Sequence, residues 1–150
     1  MPWPSTTLLA DGTRIGLDSN ILIYLSHGEG PRAEMAAAVV DAIAQGQVVG
    51  IVATAALVEV LAGFARSDNP AGFERAVAAL GGMGLTVRPL DAEVAADAAW
   101  LRGEGMGFED AVHLATSRAE RADVFLTNDR RIRSRPTLEV VYLDDLLAAE

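Results

Sequence analysis

The sequence predicts an α/β fold built on a central, mainly parallel sheet. Short apolar runs alternate along the chain with longer segments whose apolar residues recur at helical spacing, and this alternation is typical of β–α–β units. The run 48–52 is apolar over its whole length, as expected of a strand that is covered on both faces. Helices are therefore expected on both sides of the sheet, which gives a three-layer sandwich.

Short apolar runs bounded by turn residues predict the strands, and the periodic segments between them predict the helices. The predicted strands are 14–17, 48–52, 85–88, 124–126 and 138–141. The predicted helices are 19 or 20 to 25, 31–44, 54–64, 70–80, a segment that follows Asp91, 108–119 and 144–149. Almost every strand is thus followed by a helix, as a parallel sheet requires.

Polar side chains and prolines mark where several of these helices begin. The predicted N-cap residues are Ser19 or Asn20, Thr54 and Asp91. Short polar side chains suit this position because they accept hydrogen bonds from the free N–H groups of the first turn. Pro31 and Pro70 suit first helical positions, since proline lacks the N–H group that would be unpaired there.

The length of 150 residues favours one domain that can bury a sizeable core. Residues 1–13 contain two prolines and a glycine and are predicted to be an N-terminal extension, with a single domain over residues 14–150. The first residues lack the positive charge and long apolar core of a secretory signal. No run reaches the roughly 18 apolar residues of a membrane span. We therefore expect a soluble protein of the cytoplasm without a membrane partner.

Composition restricts the chemistry that the chain can carry. It contains no cysteine, which excludes disulfides and thiolate metal sites, and its two histidines are few beside 21 Asp and Glu residues. Oxygen is therefore the expected ligand for any metal. All 12 basic residues are arginine, so mechanisms that need a lysine are excluded.

The net charge of −9 argues against a broad basic surface that holds nucleic acid, although it allows a local basic patch. One dense cluster of arginines follows Asp129. Its members are Arg130, Arg131, Arg133 and Arg135. Two interpretations stand equally at this point: a solvated loop, or a surface that contacts RNA phosphates.

Four acidic residues lie in surroundings that are unusual for surface charge. Asp18 follows the first strand, Glu59 interrupts an otherwise apolar helix, Asp110 begins a helix and Asp129 follows a strand. Taken singly, Asp110 is explained as a partner of the helix dipole and Asp129 as a turn residue. Glu59 is hardest to explain by packing, since glutamate is almost never fully buried unless it is paired.

The positions of Asp18 and Asp129 suggest that some of these carboxylates form one site. Both follow strands, and ligands of parallel sheets bind at the carboxyl ends of strands. Converging carboxylates repel one another unless a cation relieves the repulsion. Mg²⁺ or Mn²⁺ is the expected cation, because hard divalent ions prefer oxygen ligands.

The same motifs resemble those of PIN-domain ribonucleases, and in particular the VapC-like toxins of bacterial toxin–antitoxin pairs. The resemblance rests on Leu17-Asp18-Ser19-Asn20, on Glu59 in an apolar helix, on the segment 109–115 (Glu-Asp-Ala-Val-His-Leu-Ala) and on Leu126-Thr127-Asn128-Asp129. These elements occur in the order seen in the family and span most of the chain. The resemblance implies a PIN-like fold and an enzyme that hydrolyses RNA.

The resemblance also implies roles for individual residues and partners. Asp18, Glu59, Asp110 and Asp129 would hold one or two divalent ions, while Ser19, Asn20, Thr127 and Asn128 would orient those carboxylates or a water. That water, activated by the metal, would attack an RNA phosphodiester bond. A homodimer is implied, as is a small antitoxin that inserts a segment, often with an arginine, into the acidic site.

Two features depart from the family pattern. The extension before the first strand is longer than in many relatives, and Glu109 adds a second acid beside Asp110. Adjacent residues on a helix point about a quarter-turn apart, and we favour Asp110 as the ligand. His113 lies on the same helix face as Asp110 and is interpreted as a hydrogen-bonded histidine beside the core, since Mg²⁺ rarely takes imidazole.

Two alternative functions are weighed against the nuclease. In a phosphoryl-transfer protein on a related α/β fold, Asp18 would be the phosphorylated nucleophile, but such proteins place a lysine near the phosphoryl group and this chain has none. The second alternative is a non-catalytic PIN-like module that acts by binding a protein. Such modules tend to lose acidic ligands, whereas all four are present here.

Overall fold

A computed structural model describes residues 5–149 and contains a five-stranded sheet. Its strands are β1 (Arg14–Leu17), β2 (Val49–Ala53), β3 (Thr86–Arg88), β4 (Val124–Thr127) and β5 (Glu139–Tyr142). They lie in the order β3-β2-β1-β4-β5, and each adjacent pair is parallel. The predicted α/β fold is confirmed, with parallel pairing between all of these strands.

The helices connect the strands in the way that the sequence periodicity predicts. They are α1 (Ser5–Leu8), α2 (Ser19–His27), α3 (Gly30–Ala44), α4 (Thr54–Arg66), α5 (Pro70–Gly81), α6 (Ala92–Gly103), α7 (Phe108–Ala119) and α8 (Leu143–Ala148). The predicted bounds of α7 agree with the observed ones, and those of α2 to α6 and α8 differ by a few residues. Helix α1 was not predicted, since it lies in the segment interpreted as an N-terminal extension. Over residues 5–149, every helix is too short or too polar to cross a membrane.

The sheet separates two apolar cores, which confirms the three-layer arrangement. Along β4, Val124 and Leu126 pack into one core with α2, α3 and α8, while Phe125 points into the other core with α6 and α7. Successive side chains of a strand point to opposite faces, so one strand supplies both cores. Each fully buried Leu or Phe contributes roughly 1.5–3 kcal/mol to folding by leaving water.

The cap of α2 differs from the prediction. Asp18, rather than Ser19 or Asn20, is the N-cap residue, and its side chain accepts a hydrogen bond from the Ser19 backbone N–H. The chain passes from β1 into α2 at a single extended residue, so the helix begins one residue earlier than expected. This turn brings the Asp18 carboxylate against the positive end of α2.

The cap of α4 was also predicted wrongly, whereas that of α6 is confirmed. Thr54 is the first helical residue, and its hydroxyl donates to the Arg88 carbonyl instead of capping. Here too the strand runs directly into the helix, with Ala53 as the N-cap. The predicted cap Asp91 accepts a hydrogen bond from the Val94 N–H at the start of α6.

Part of the predicted N-terminal extension packs against the sheet layers. Leu8 is fully buried in the core that contains α2 and α3. The Gly12 N–H donates to the Gln47 carbonyl, which ties the segment to the start of β2. Residues 1–4 and 150 lie outside the described residues. The boundary between extension and domain at residue 14 stays a prediction.

Helix α7 lies unusually close to β1 because the contact position on the strand is a glycine. A Cβ atom at Gly16 would lie 2.0 Å from the Ser117 Oγ and 2.8 Å from its Cβ. Ser117 is itself buried, so it has little room to move. The contact therefore fixes the height of α7 above β1, the strand that leads to Asp18.

Replacing Gly16 with alanine is expected to destabilise the protein by about 1–3 kcal/mol, the range for overpacking a tight core. The control is Gly63→Ala on α4, where a Cβ meets no atom within 4 Å. That substitution should stabilise the helix by roughly 0.5–1 kcal/mol. Urea unfolding curves of both variants measure the difference, and equal stabilities would contradict the close-packing argument.

Candidate active site

The candidate site lies where the chain changes direction across the sheet. Strand β1 is followed along the chain by its neighbour β2 on one side, while β4 pairs with it on the other side. The carboxyl ends of β1 and β4 therefore border a topological switch point, where α/β sheets bind ligands. Asp18 and Asp129 follow these two ends, as the sequence predicts.

Asp18 is a buried carboxylate that is held by short hydrogen bonds. Only 5% of the residue is exposed. Its Oδ1 accepts from the Ser19 backbone N–H at 2.7 Å, and its Oδ2 accepts from the Thr127 Oγ1 at 2.7 Å. Leu17 and Leu126 are paired in the sheet, which puts Asp18 and Thr127 side by side. The charge is thus stabilised by hydrogen-bond donors and the N-terminus of α2.

Glu59 comes from α4 and reaches the same region. Its Oε2 accepts from the Ser19 Oγ at 2.7 Å, and its Oε1 lies 3.0 Å from the His113 Nε2. His113 is 2% exposed, which confirms its interpretation as a hydrogen-bonded histidine beside the core. The His113 Nε2 is also 3.8 Å from the Asp18 Oδ1. Ser19 and His113 therefore connect Glu59 on α4 with Asp18 at the start of α2.

Asp110 lies near two of the other predicted carboxylates. Partial burial, and then the negative charges of Asp18 and Asp129, raise the pKa of Asp110 above its usual value. The adjacent Glu109 is exposed, whereas Asp110 is half-buried. This difference supports the choice of Asp110 over Glu109 as the acid that faces the site.

Asp129 is paired with an arginine two residues later. The Arg131 Nε lies 3.0 Å from one carboxylate oxygen of Asp129, and the Nη2 lies 2.7 Å from the other. These hydrogen bonds lower the pKa of Asp129. The Arg131 side chain is 84% exposed, so the ion pair is open to water and easily exchanged.

Three of the four predicted supporting side chains contact the site. Ser19 and Thr127 donate to carboxylates, and the Asn20 Nδ2 donates to the Thr127 Oγ1 at 3.3 Å. The Asp129 backbone N–H also donates to this hydroxyl at 3.0 Å. Thr127 therefore links Asp18 with Asp129.

Asn128 faces away from the carboxylates, contrary to its predicted role. Its Nδ2 donates to the Tyr24 hydroxyl at 3.1 Å, and its Oδ1 accepts from the Asp144 backbone N–H at 3.1 Å. Asn128 follows Thr127 directly, and the two side chains diverge at the end of β4. Its side chain secures the start of α8 instead of supporting the site.

Most of the predicted basic cluster is engaged in ion pairs within the chain. Arg130 binds Asp145 and stacks on Tyr142, with 4.3 Å from the guanidinium carbon to the ring centre. Arg135 binds Glu104 at 2.6 Å. Arg133 is exposed and forms no ion pair with the described residues. RNA contact by Arg130 or Arg131 would therefore require it to exchange its carboxylate partner.

The four carboxylates do not form a ready-made metal cluster. Within residues 5–149, no group of three or more His, Asp or Glu side chains is arranged to hold a metal ion. Glu59 is turned toward Ser19 and His113, and Asp129 is turned toward Arg131. The four side chains nevertheless suit a hard divalent cation, because their donor atoms are carboxylate oxygens. The negative charges of Asp18 and Asp129 also disfavour the ionised form of Asp110, and a bound cation would relieve this repulsion.

The fold and the site define an α/β protein with carboxylates gathered at the carboxyl edge of a parallel sheet. The sequence profile of the PIN domain matches residues 15–138, which is most of the chain. The chain therefore belongs to the PIN-domain family, and the resemblance inferred from its motifs is confirmed. A search of curated proteins gives no match.

Solved structures with the same fold include toxin–antitoxin complexes. VapBC2 from Rickettsia felis, bound to a promoter DNA fragment, has a TM-score of 0.67 and 19% identity, and covers 85% of this chain and 97% of that chain. A toxin–antitoxin complex from Klebsiella pneumoniae has a TM-score of 0.64, 19% identity and coverages of 84% and 95%. DNA-bound VapBC from Salmonella typhimurium has a TM-score of 0.63, 17% identity and coverages of 87% and 98%. The likeness shows a shared fold.

Replacing Asp110 with asparagine is expected to stabilise the metal-free protein at neutral pH by about 0.5–1 kcal/mol, as at other strained functional sites. The pKa of Asp110 is higher in the folded protein than in the unfolded chain. Ionisation of Asp110 therefore lowers the free energy of unfolding once the pH rises above the pKa that the carboxyl has in the unfolded chain. The stability gained by D110N should therefore shrink as the pH falls. Unfolding curves measured in EDTA from acid to neutral pH give this difference between D110N and the wild type.

Glu109→Gln is the matched control, because the adjacent Glu109 is exposed. It should change stability by less than about 0.5 kcal/mol at either pH, as usual for a surface substitution. A D110N variant that is no more stable than this control at neutral pH would contradict the proposed repulsion among the carboxylates.

Proposed function

We propose that the protein is a Mg²⁺- or Mn²⁺-dependent endoribonuclease that acts as the toxin of a toxin–antitoxin pair. The observation that carries this proposal is the buried carboxylate of Asp18 at the switch point, with Asp110 and Asp129 close to it. Membership of the PIN-domain family and the fold shared with VapBC proteins support it.

The divalent ion would be held by Asp18, Asp110 and Asp129, with Glu59 as the fourth acid. When bound, it would supply Lewis-acid chemistry, polarising a phosphate oxygen and lowering the pKa of an attacking water. The chain itself contributes the preorganisation. Asp18 cannot turn away, since both of its oxygens are hydrogen-bonded.

Thr127 fixes the positions of Asp18 and Asp129 relative to each other. Its hydroxyl donates to Asp18 and accepts from the Asp129 N–H, so it fixes the loop after β4 relative to the end of β1. Positioning of this kind lets the site meet a transition state without rearranging. An RNA strand would enter from the exposed side, where Arg131 and Arg133 lie.

Arg131 has two successive roles in this proposal. In the metal-free protein it neutralises Asp129 through its paired hydrogen bonds. A cation that binds Asp129 would displace the guanidinium, which is then free to contact an RNA phosphate. The ion pair within the chain and the predicted RNA contact are thus compatible.

An antitoxin partner is supported by a groove beside the site. A cavity of about 750 Å³ lies between α2, α4 and α5, and Glu59 lies in its wall. Its apolar residues include Ile23, Val60 and Phe64, which suit the apolar face of a helical segment. We propose that the antitoxin binds in this groove and reaches the acidic site from there.

A homodimer is also part of the proposal. Several large apolar side chains are exposed on α4, α6 and α7 and in the loop before α6, including Val58, Leu90, Trp100 and Phe108. Trp100 is 73% exposed. Such exposure is unusual because the tryptophan ring has a large apolar area. A second copy of the chain would remove part of this surface from water.

The phosphoryl-transfer alternative fits the site poorly. The residue two positions after Asp18 is Asn20, where such proteins carry a second acid. The chain also lacks the lysine that such proteins place near the phosphoryl group. A non-catalytic binding module would bind no divalent ion, and calorimetric titration with Mn²⁺ distinguishes it from the nuclease.

Replacing Asp18 with asparagine should reduce Mg²⁺-dependent RNA cleavage by more than about 100-fold, as for other groups that stabilise transition-state charge. The fold should persist, because asparagine also caps helices well. Cleavage of a mixed RNA substrate, circular dichroism and thermal unfolding measure the outcome. Asp41→Asn, at an exposed position on α3, is the control, and full activity in D18N would refute the nuclease.

Replacing Arg131 with glutamine should tighten Mn²⁺ binding by up to about fivefold, since an exposed ion pair is worth about 0.2–1 kcal/mol. The same variant should raise the KM for RNA, because it removes a phosphate contact. Calorimetry and steady-state kinetics separate the two effects. Arg133→Gln, which removes a charge that has no ion-pair partner in the described chain, should affect only the KM. Unchanged Mn²⁺ affinity in R131Q would exclude competition for Asp129.

A further inference from the structure

His113 contacts the acidic site from the core side. It lies one turn after Asp110 on α7 and is 2% exposed. Its Nε2 is 3.0 Å from the Glu59 Oε1 and 3.8 Å from the Asp18 Oδ1. A side chain on one helix therefore reaches the carboxylate of another helix, 54 residues away in the sequence.

The two oxygens of Glu59 are held by two different donors. The Ser19 Oγ donates to Oε2 at 2.7 Å, and the His113 Nε2 meets Oε1 at 3.0 Å. Ser19 is also bound to Asp18 through its backbone N–H. Without these two contacts, the flexible Glu59 side chain could turn toward the open groove, which it also lines.

The second ring nitrogen of His113, Nδ1, indicates that the contact with Glu59 is the reason for a histidine at this position. The His113 Nδ1 is buried and has no hydrogen-bond partner among the described residues. A buried unpaired polar atom destabilises a fold, so packing alone favours an apolar side chain at this position. An ionised carboxylate only accepts hydrogen bonds, which places the proton of His113 on Nε2, where it can donate to Glu59.

We propose that His113 is a positioning residue: together with Ser19 it clamps Glu59 close to Asp18, so that the negative charge of Glu59 helps to hold the cation that Asp18 binds. The link to the cation rests on the proposed function, whereas the clamp itself does not. His113 acts through Glu59, so its effect on metal binding requires Glu59 to be present. This assigns a role to a buried titratable side chain that the reaction itself does not use.

The test compares a substitution at His113 that keeps an N–H donor with one that has none. His113→Gln keeps an N–H group near the position of Nε2, whereas His113→Leu is apolar and has none. Calorimetric titration with Mn²⁺ should show about 10–100-fold weaker binding for H113L, the loss typical of residues that orient metal ligands. H113Q should bind within about threefold of the wild type, because its amide restores the hydrogen bond.

A double-variant cycle separates positioning from packing. In the Glu59→Ala background, H113L should cause no further loss of Mn²⁺ affinity, because residues that act through one another are non-additive. A loss that multiplies with that of E59A would overturn the proposal, as would wild-type affinity in folded H113L. Thermal unfolding in EDTA checks that each variant is folded.

A measurement on the metal-free wild-type protein decides the clamp independently of any nuclease function. Two-bond ¹H–¹⁵N spectra should show the proton of His113 on Nε2, with a changed Nε2 shift in E59A. A proton on Nδ1 alone would overturn the clamp. If the wild type neither binds Mn²⁺ nor cleaves RNA, the proposed function fails, and these spectra still establish or refute the contact between His113 and Glu59.

Discussion

The burial of the Asp18 carboxylate is the constraint on which the rest of the structure depends. A charge in this position is tolerated only where hydrogen-bond donors converge on it. The donors come from the first turn of α2 and from the end of β4, so the parallel pairing of β1 with β4 is needed as much as the helix. The site and the centre of the sheet therefore share the same strand pairing and hydrogen bonds.

Most of the fold follows from local sequence signals. Apolar runs and helical spacing place the strands and helices to within a few residues, because both patterns reflect burial against a single sheet. The helix caps were less predictable. Asp18 takes the cap position that Ser19 or Asn20 was expected to fill, since the choice depends on which residue stays extended after the strand. That choice is set by the strand register, which local sequence does not encode.

The candidate site was predictable only as a set of residues. Strand ends indicated Asp18 and Asp129, and an unusual charge in an apolar helix indicated Glu59. The partners of these side chains depend on tertiary contacts, so the link from His113 to Glu59 and the pairing of Arg131 with Asp129 were missed. Asn128 illustrates the same limit, because consecutive residues at a strand end point in different directions.

The close contact between Gly16 and Ser117 has a consequence for ion selectivity. The contact sets the backbone height of α7, which carries Asp110, over β1, which leads to Asp18. Mg²⁺ requires ligands at about 2.0–2.1 Å, whereas Ca²⁺ accepts about 2.3–2.6 Å and a looser shell. In the proposed metal site, a glycine in the sheet would thus act as a spacer that favours the smaller ion.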